Sequence, residues 1–577
     1  MRIVFAISAA LFLAVIARVT LLQTAQAEGL IKQGKAQRTS ETVLKASRGT
    51  IFDRNGNEMA ISVPRTTLTA NPRLVVDPAG TATTLSQLLS LAPDKEQALQ
   101  LAFTAKDKTF VYVGRQVDEK LAAAVMALKL PGIASVEEDQ RELPSGNVGI
   151  SLVGRTDIDG VGTAGLEKQY DQLLTGVDGE RTREHDNKGR TIAGADTTTK
   201  DSVPGQDLVL TVDRSLQFQV EQIMLAAVDK PTVLAKGGTA VVIDTKTGEI
   251  LATVNVARGA DGKAVITAAN NAAVEAHEPG SVAKVFSLSA SLNEGVTTPA
   301  TYIDVPGYLV FDKGTKYEHT IHDAESHVTG SMSLRDILVQ SSNIGTWLTA
   351  QQLGSEKLDS YLTSFGFGKS TGLGFPDESA GLIKPWQKWQ GTEKATVAYG
   401  YGYSATALQL AAAVNTIANG GVYVAPKLVM DTIDAKGVET SAPASATHTV
   451  VSPSAAADMT SMMRDVVCSS KGTGNLAKVP GMAVAGKTGT AYKIQKGGGY
   501  VGADGTKAYY ASFVGFFPAA APQVTILVSI DEPDPASNDR FGGTASAPVF
   551  VDIAQAAIHE LQITPTPGDT GCADSVR

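Results

Sequence analysis

The stretch Thr239–Asn255, TAVVIDTKTGEILATVN, holds two β-rich runs around Lys246-Thr247-Gly248 and reads as a β-hairpin. Just upstream, Leu208–Asp213 (LVLTVD) reads as a strand and Arg214–Val228 as an amphipathic helix. Two further strands are expected far downstream, at Tyr510–Pro518 (YASFVGFFP) and Val524–Asp531 (VTILVSID). The chain between is mostly helix and loop. Strands at both ends of a domain with helices between predict an α+β layered fold, in which the terminal strands pair in one sheet. Val551–Leu561 reads as a closing helix, and residues 563–577 as a disordered Pro/Gly-containing tail.

Outward from this core the composition is ordinary. The 577 residues are 43% hydrophobic and 19% charged, which excludes a coiled coil and a charged disordered chain. A net charge of −9 argues against a nucleic-acid binder. Two cysteines cannot build a disulfide framework or a Cys-rich zinc module. At a prior of roughly 150 residues per domain, three or four units would be possible. The motifs below reduce these to two principal regions.

The amino terminus is the one unusual segment. Ile3–Leu22 is almost purely apolar, and as a helix it would span about 30 Å, the thickness of bilayer hydrocarbon. Ala25-Gln26-Ala27 has the form of a signal-peptidase site, so a cleaved leader competes with a signal-anchor. The length favours the anchor. Only Arg2 precedes the run, whereas Lys32, Lys35 and Arg38 follow it, against the positive-inside rule; long domains translocate largely regardless of such charges. The expected organisation is a cytoplasmic stub and transmembrane anchor over 1–27, a pedestal over 28–200, a catalytic domain over 201–562 and a tail over 563–577. Glu28–Lys45 reads as a helix-compatible polar stalk, Leu85–Leu101 and Glu119–Leu128 as helices, and Thr197–Pro204 (TTTKDSVP) as a linker.

Three motifs carry chemistry. In Pro279-Gly280-Ser281-Val282-Ala283-Lys284, the Pro-Gly pair breaks the chain before a buried-type helix. Ser281 then sits at a helix amino terminus with Lys284 one turn on, on the same face. A neutral amine there can take the proton of a serine hydroxyl, and N–H groups at the helix start can stabilise developing negative charge. Ser341-Ser342-Asn343 follows a helical stretch and offers two hydroxyls and an amide to relay a proton and hold a carbonyl. Lys487-Thr488-Gly489-Thr490 is expected on a strand. Lys487 offers a cation, Thr488 and Thr490 offer hydroxyls, and Gly489 clears space for a substrate backbone. Singly, each motif fits a blander reading: a helix cap beside a surface lysine, a polar loop, a β-turn. All three in this order and context form a known serine acyltransferase set.

With these motifs the chain resembles the class B penicillin-binding proteins, the monofunctional transpeptidases of bacterial peptidoglycan, and most of all their division branch. Arg48–Gly56 (RGTIFDRNG), Gly165–Lys168 (GLEK) and Gly179–Arg181 (GER) are similar to the family's pedestal, and Ala17-Arg18-Val19 with Leu22-Gln23 to the division branch. The resemblance implies a penicillin-binding transpeptidase domain, with helices packed on an antiparallel sheet as in serine β-lactamases. Ser281 would attack the penultimate D-Ala carbonyl of a stem peptide and Lys284 would be its base. Ser341 would relay a proton to the leaving amine, and Asn343 would orient Lys284 and the substrate amide. Lys487, Thr488 and Thr490 would hold the substrate carboxylate, and the N–H groups of Ser281 and Thr490 would form the oxyanion hole. β-Lactams would acylate Ser281. No cofactor or metal is implied. The implied partners are a membrane glycosyltransferase of the shape, elongation, division and sporulation type and other divisome proteins.

Other readings remain: a D,D-carboxypeptidase or β-lactam hydrolase using the same serine, an elongation-type transpeptidase, and a non-enzymatic scaffold or sensor. Gly400-Tyr401-Gly402-Tyr403 departs from the family's Gly-Gln-Gly. His319, His322, Asp323 and His327 suggest a metal site less well than a polar cleft rim. Pairing of Cys468 with Cys572 cannot be read from sequence.

Overall fold

A computed structural model describes residues 1–184, 192, 198–495, 497–502, 505–567 and 571–572. The chain divides into two compact units. One comprises Met1–Gly49, Ser62–Gln140 and Thr175–Gln206; the other comprises Thr50–Ile61, Arg141–Leu174 and Asp207–Arg577.

The first unit opens with the helix Arg2–Gln23, long and apolar enough to cross a membrane, with no buried side chain. It fits a membrane anchor. The expected stalk is only half helical. Ala27–Arg38 is a helix, but Thr39–Leu44 is a strand paired antiparallel with Gly179–Glu184, which pairs in turn with Thr198–Lys200. That last strand lies inside the predicted linker, of which Thr197 falls outside the described residues. Its threonines suit an edge strand, where polar composition had suggested a loop. The helix expected over Leu85–Leu101 is two helices, Pro78–Leu89 and Pro93–Thr104. Ser90 closes the first in a left-handed conformation, φ 51°. Pro93, without an amide hydrogen, starts the second. They pack with Glu119–Ala127 around Leu68, Leu85, Phe103, Val113 and Val125.

The second unit is built on a six-stranded antiparallel sheet. Its strands are β1 (Gly237–Asp244), β2 (Ile250–Arg258), β3 (Ala264–Ile266), β4 (Ala485–Tyr492), β5 (Tyr509–Phe517) and β6 (Val524–Asp531), in spatial order β3-β2-β1-β6-β5-β4. β1 pairs with β6 from Gly237↔Asp531 to Asp244↔Val524, so the ends of the domain meet as the α+β pattern predicted. Side chains alternate between two buried faces. Ala240, Val242, Phe513 and Val528 face the helices α1 (Arg214–Asp229) and α7 (Ala547–Glu560). Val241, Ile243, Val514 and Leu527 face the larger core. That core is formed by α2 (Ala283–Asn293), α3 (Leu334–Val339), α4 (Asn343–Leu353), α5 (Ala407–Ala418) and α6 (Pro453–Cys468). Burial on both faces explains the near-continuous apolar runs of β5 and β6.

Two described residues of the predicted disordered tail, Ile563 and Cys572, are held in place. Ile563 is buried beside α7, and Cys572 forms a disulfide with Cys468 at the end of α6, Cα to Cα 5.1 Å. Residues 568–570 and 573–577 of the predicted tail lie outside the described residues.

Candidate active site

The three motifs converge in the second unit. Gly280, at φ 54°, lets the chain turn sharply, and Gly280–Val282 form one 3-10 turn that runs into α2. Ser281 is therefore presented at a helix start. Lys284, fully buried one turn on, brings Nζ to 3.1 Å from Ser281 Oγ.

Ser341 sits between α3 and α4 with φ 61°, a strained conformation for a residue with a side chain. This turns its Oγ to 3.0 Å from Lys284 Nζ and 3.0 Å from Lys487 Nζ. Its carbonyl also accepts from Lys284. Ser342 caps α4 by accepting from Gly345 N at 2.9 Å. Asn343 Nδ2 donates to the His322 carbonyl at 2.9 Å; among the described residues no hydrogen bond joins it to Lys284.

Lys487, Thr488, Gly489 and Thr490 lie on β4, the edge of the sheet next to Ser281. Lys487 Nζ also donates to the Thr488 carbonyl (3.1 Å) and Oγ1 (3.3 Å). Thr488 Oγ1 is 2.7 Å from Thr473 Oγ1, and Thr490 Oγ1 accepts from Gly542 N at 3.2 Å. The space left by Gly489 is filled by the turn bearing Ser281, not by open cleft: a Cβ there would meet Val282 Cγ2 at 2.9 Å and Pro279 O at 3.2 Å. The Thr490 carbonyl accepts from Tyr401 Oη at 3.5 Å and so points away from β5. In an antiparallel pair both backbone groups of a residue face the same way, so the Thr490 N–H also faces the open edge.

Burial dominates the electrostatics. It lowers Lys284 to about 7, opposed in part by the negative charge of Asp323. Lys487 is pushed well below its ordinary value by burial and by the charge of Lys284. Two ammonium groups on one hydroxyl, away from water, cannot both stay charged at neutral pH. A neutral amine beside a serine hydroxyl can remove its proton, and a shared hydroxyl can carry that proton onward.

Sequence reasoning missed two supports. Asp323 accepts from Ser342 Oγ (2.6 Å), Asn343 N (2.6 Å) and Ile344 N (3.0 Å). It was visible only as part of the histidine-containing rim. Among the described residues no three His, Cys, Asp or Glu side chains are grouped to hold a metal. The second support is the Gly400-Tyr401-Gly402 loop. Gly280 N donates to the Gly400 carbonyl at 3.0 Å, and a Cβ on Gly400 would lie 1.9 Å from Gly280 O. Gly402 N and Tyr500 Oη both donate to Glu278, two residues before Gly280, at 2.8 and 2.7 Å.

Comparison with known proteins accords with this site. A family model described as the penicillin binding protein transpeptidase domain matches residues 238–555, and one described as the penicillin-binding protein dimerisation domain matches residues 43–210. The penicillin-binding protein PbpB of Mycolicibacterium smegmatis is 33% identical, over 95% of this chain and 88% of its own. The peptidoglycan D,D-transpeptidase FtsI of Escherichia coli K12 is 32% identical, over 96% of this chain and 90% of its own. The crystal structure of penicillin binding protein 3 from Mycobacterium tuberculosis, complexed with aztreonam, superposes with a TM-score of 0.68 at 28% identity, covering 92% of this chain and 99% of the other. With its nucleophile turn, shared serine and edge-strand lysine in one buried cluster, the chain belongs to the penicillin-binding proteins, as a class B member of the division type.

Proposed function

We propose that this chain is a membrane-anchored peptidoglycan D,D-transpeptidase that cross-links stem peptides during septal wall synthesis and is acylated by β-lactams. The observation that carries the reading is the line Ser281 Oγ, Lys284 Nζ, Ser341 Oγ, Lys487 Nζ, buried from Lys284 onward, with successive separations of 3.1, 3.0 and 3.0 Å, beside an open strand edge.

The donor peptide pairs its backbone with the free edge of β4. Its terminal carboxylate is held by Lys487, Thr488 and Thr490. Lys284 takes the Ser281 proton as Oγ attacks the penultimate D-Ala carbonyl. The oxyanion is met by the N–H groups of Ser281 and Thr490. Ser341 passes the proton to the departing D-Ala nitrogen, the C–N bond breaks, and an ester to Ser281 remains. An amine of a neighbouring stem peptide attacks that ester, and its proton returns along the same route as Ser281 is released. Asn343 orients the substrate amide from the α4 start, and Gly489 keeps β4 close to the nucleophile turn. A β-lactam follows the first half only, because its leaving nitrogen stays tethered.

The helix Arg2–Gln23 would hold the catalytic unit outside the cytoplasm near lipid-linked wall precursors. A membrane glycosyltransferase of the shape, elongation, division and sporulation type and other divisome proteins are the proposed partners. The test supplies the full-length protein in detergent with a thioester mimic of the donor and a D-amino acid acceptor. Exchanged product is expected. Hydrolysis without exchange would favour a carboxypeptidase.

A further inference from the structure

We propose that Asp323 is a positioning residue for the acylation step, holding the Ser341-Ser342-Asn343 segment in place and setting the charge that Lys284 feels. The inference rests on the acyl-enzyme reading of Ser281.

The geometry is that of a built support. The Asp323 side chain is only 7% exposed and accepts four hydrogen bonds. Two come from the backbone N–H groups of Asn343 and Ile344, the first residues of α4, where a carboxylate also offsets the positive end of the helix dipole. A third comes from Ser342 Oγ, which itself caps α4. The fourth partner is His327 Nε2, at 2.9 Å. The residue before Asp323, His322, accepts from Asn343 Nδ2 through its carbonyl. The segment His322-Asp323 thus fixes Ser342 and Asn343, and through them the strained backbone of Ser341.

The same carboxylate acts on Lys284 through its charge. It favours the protonated amine, against the burial that favours the neutral one. The other groups facing this cluster are Lys487 from β4, the Tyr399 phenol and His327. Tyr399 is pushed up by burial and by the Asp323 charge. His327 is raised, first by its bond to the Val328 carbonyl and then by Asp323. A protonated His327 would offset part of the Asp323 charge.

The test uses full-length protein in detergent and a fluorescent penicillin, with labelling rates measured from about pH 5.5 to about pH 9. Asp323→Asn should lower the maximal rate by about tenfold or more and move the midpoint of the pH profile down by about half a unit or more. His327→Ala should move the midpoint up by a few tenths, since the carboxylate then acts unopposed. An unmoved or raised midpoint in a folded Asp323→Asn overturns the proposal. Should that variant not fold, by circular dichroism, an unmoved or lowered midpoint in His327→Ala overturns it. Labelling that persists in Ser281→Ala would instead overturn the acyl-enzyme reading on which the inference rests.

Discussion

Lys284 and Lys487 converge on one hydroxyl: each Nζ lies 3.0 Å from Ser341 Oγ, and both side chains are fully buried. They come from α2 and β4, 203 positions apart in a chain whose fold is needed to bring them together. Two buried amines sharing a partner repel when both are charged, so the cluster is set to hold a neutral base at neutral pH.

Ser281→Ala should abolish covalent labelling by a fluorescent penicillin. Ser281 is only partly buried, so the melting temperature should change little, with less than about 1 kcal/mol lost. Gel fluorescence and a thermal melt check both halves.

The labelling rate should depend on pH with the sign of a base. Lys284 titrates at about 7 and must be neutral to accept the serine proton. The rate should therefore plateau above that value and fall about tenfold per unit below it. Stopped-flow labelling across the range is the measurement. A flat profile would exclude Lys284 as the base.

Lys487→Met removes the second ammonium and its bond to Ser341. The lowering of Lys284 comes from burial, while the repulsion falls on Lys487, so the midpoint should stay where it is in the wild type. Loss of the charged hydrogen bonds should slow acylation by about ten- to a hundredfold. The pH profile checks both.

Gly400→Ala should damage both stability and labelling. Gly400 has φ 98°, and a Cβ would fall 1.9 Å from the Gly280 carbonyl oxygen in the nucleophile turn. A loss of more than about 1 kcal/mol is expected, with labelling reduced even in the folded fraction. Denaturation paired with labelling kinetics tests this.

Cys572→Ser opens a cross-link between residues 104 positions apart. Chain entropy alone predicts a loss of up to about 5 kcal/mol. The wild-type protein should show a comparable fall in thermal midpoint when treated with a reductant, and the variant none.

The amino-acid sequence by itself determined the apolar amino-terminal helix, the α+β class and the three motifs. These are local signals: apolar length, period, and short spacings such as the three residues from Ser281 to Lys284, which one helical turn converts directly into 3.1 Å. Whatever depends on distant parts of the chain was decided by tertiary structure. Only the packed sheet puts Lys487 on the hydroxyl of Ser341, and only the fold pairs Cys468 with Cys572 and seats Asp323 under the start of α4. In the sequence, the glycine at 489 says that something comes close to the strand, without saying what. In the folded chain that neighbour is Val282, in the nucleophile's own turn. The lowered pKa of Lys284 has the same origin: its residue type is written in the sequence, but the burial that makes it a base exists only once α2, α4 and β4 have closed around it.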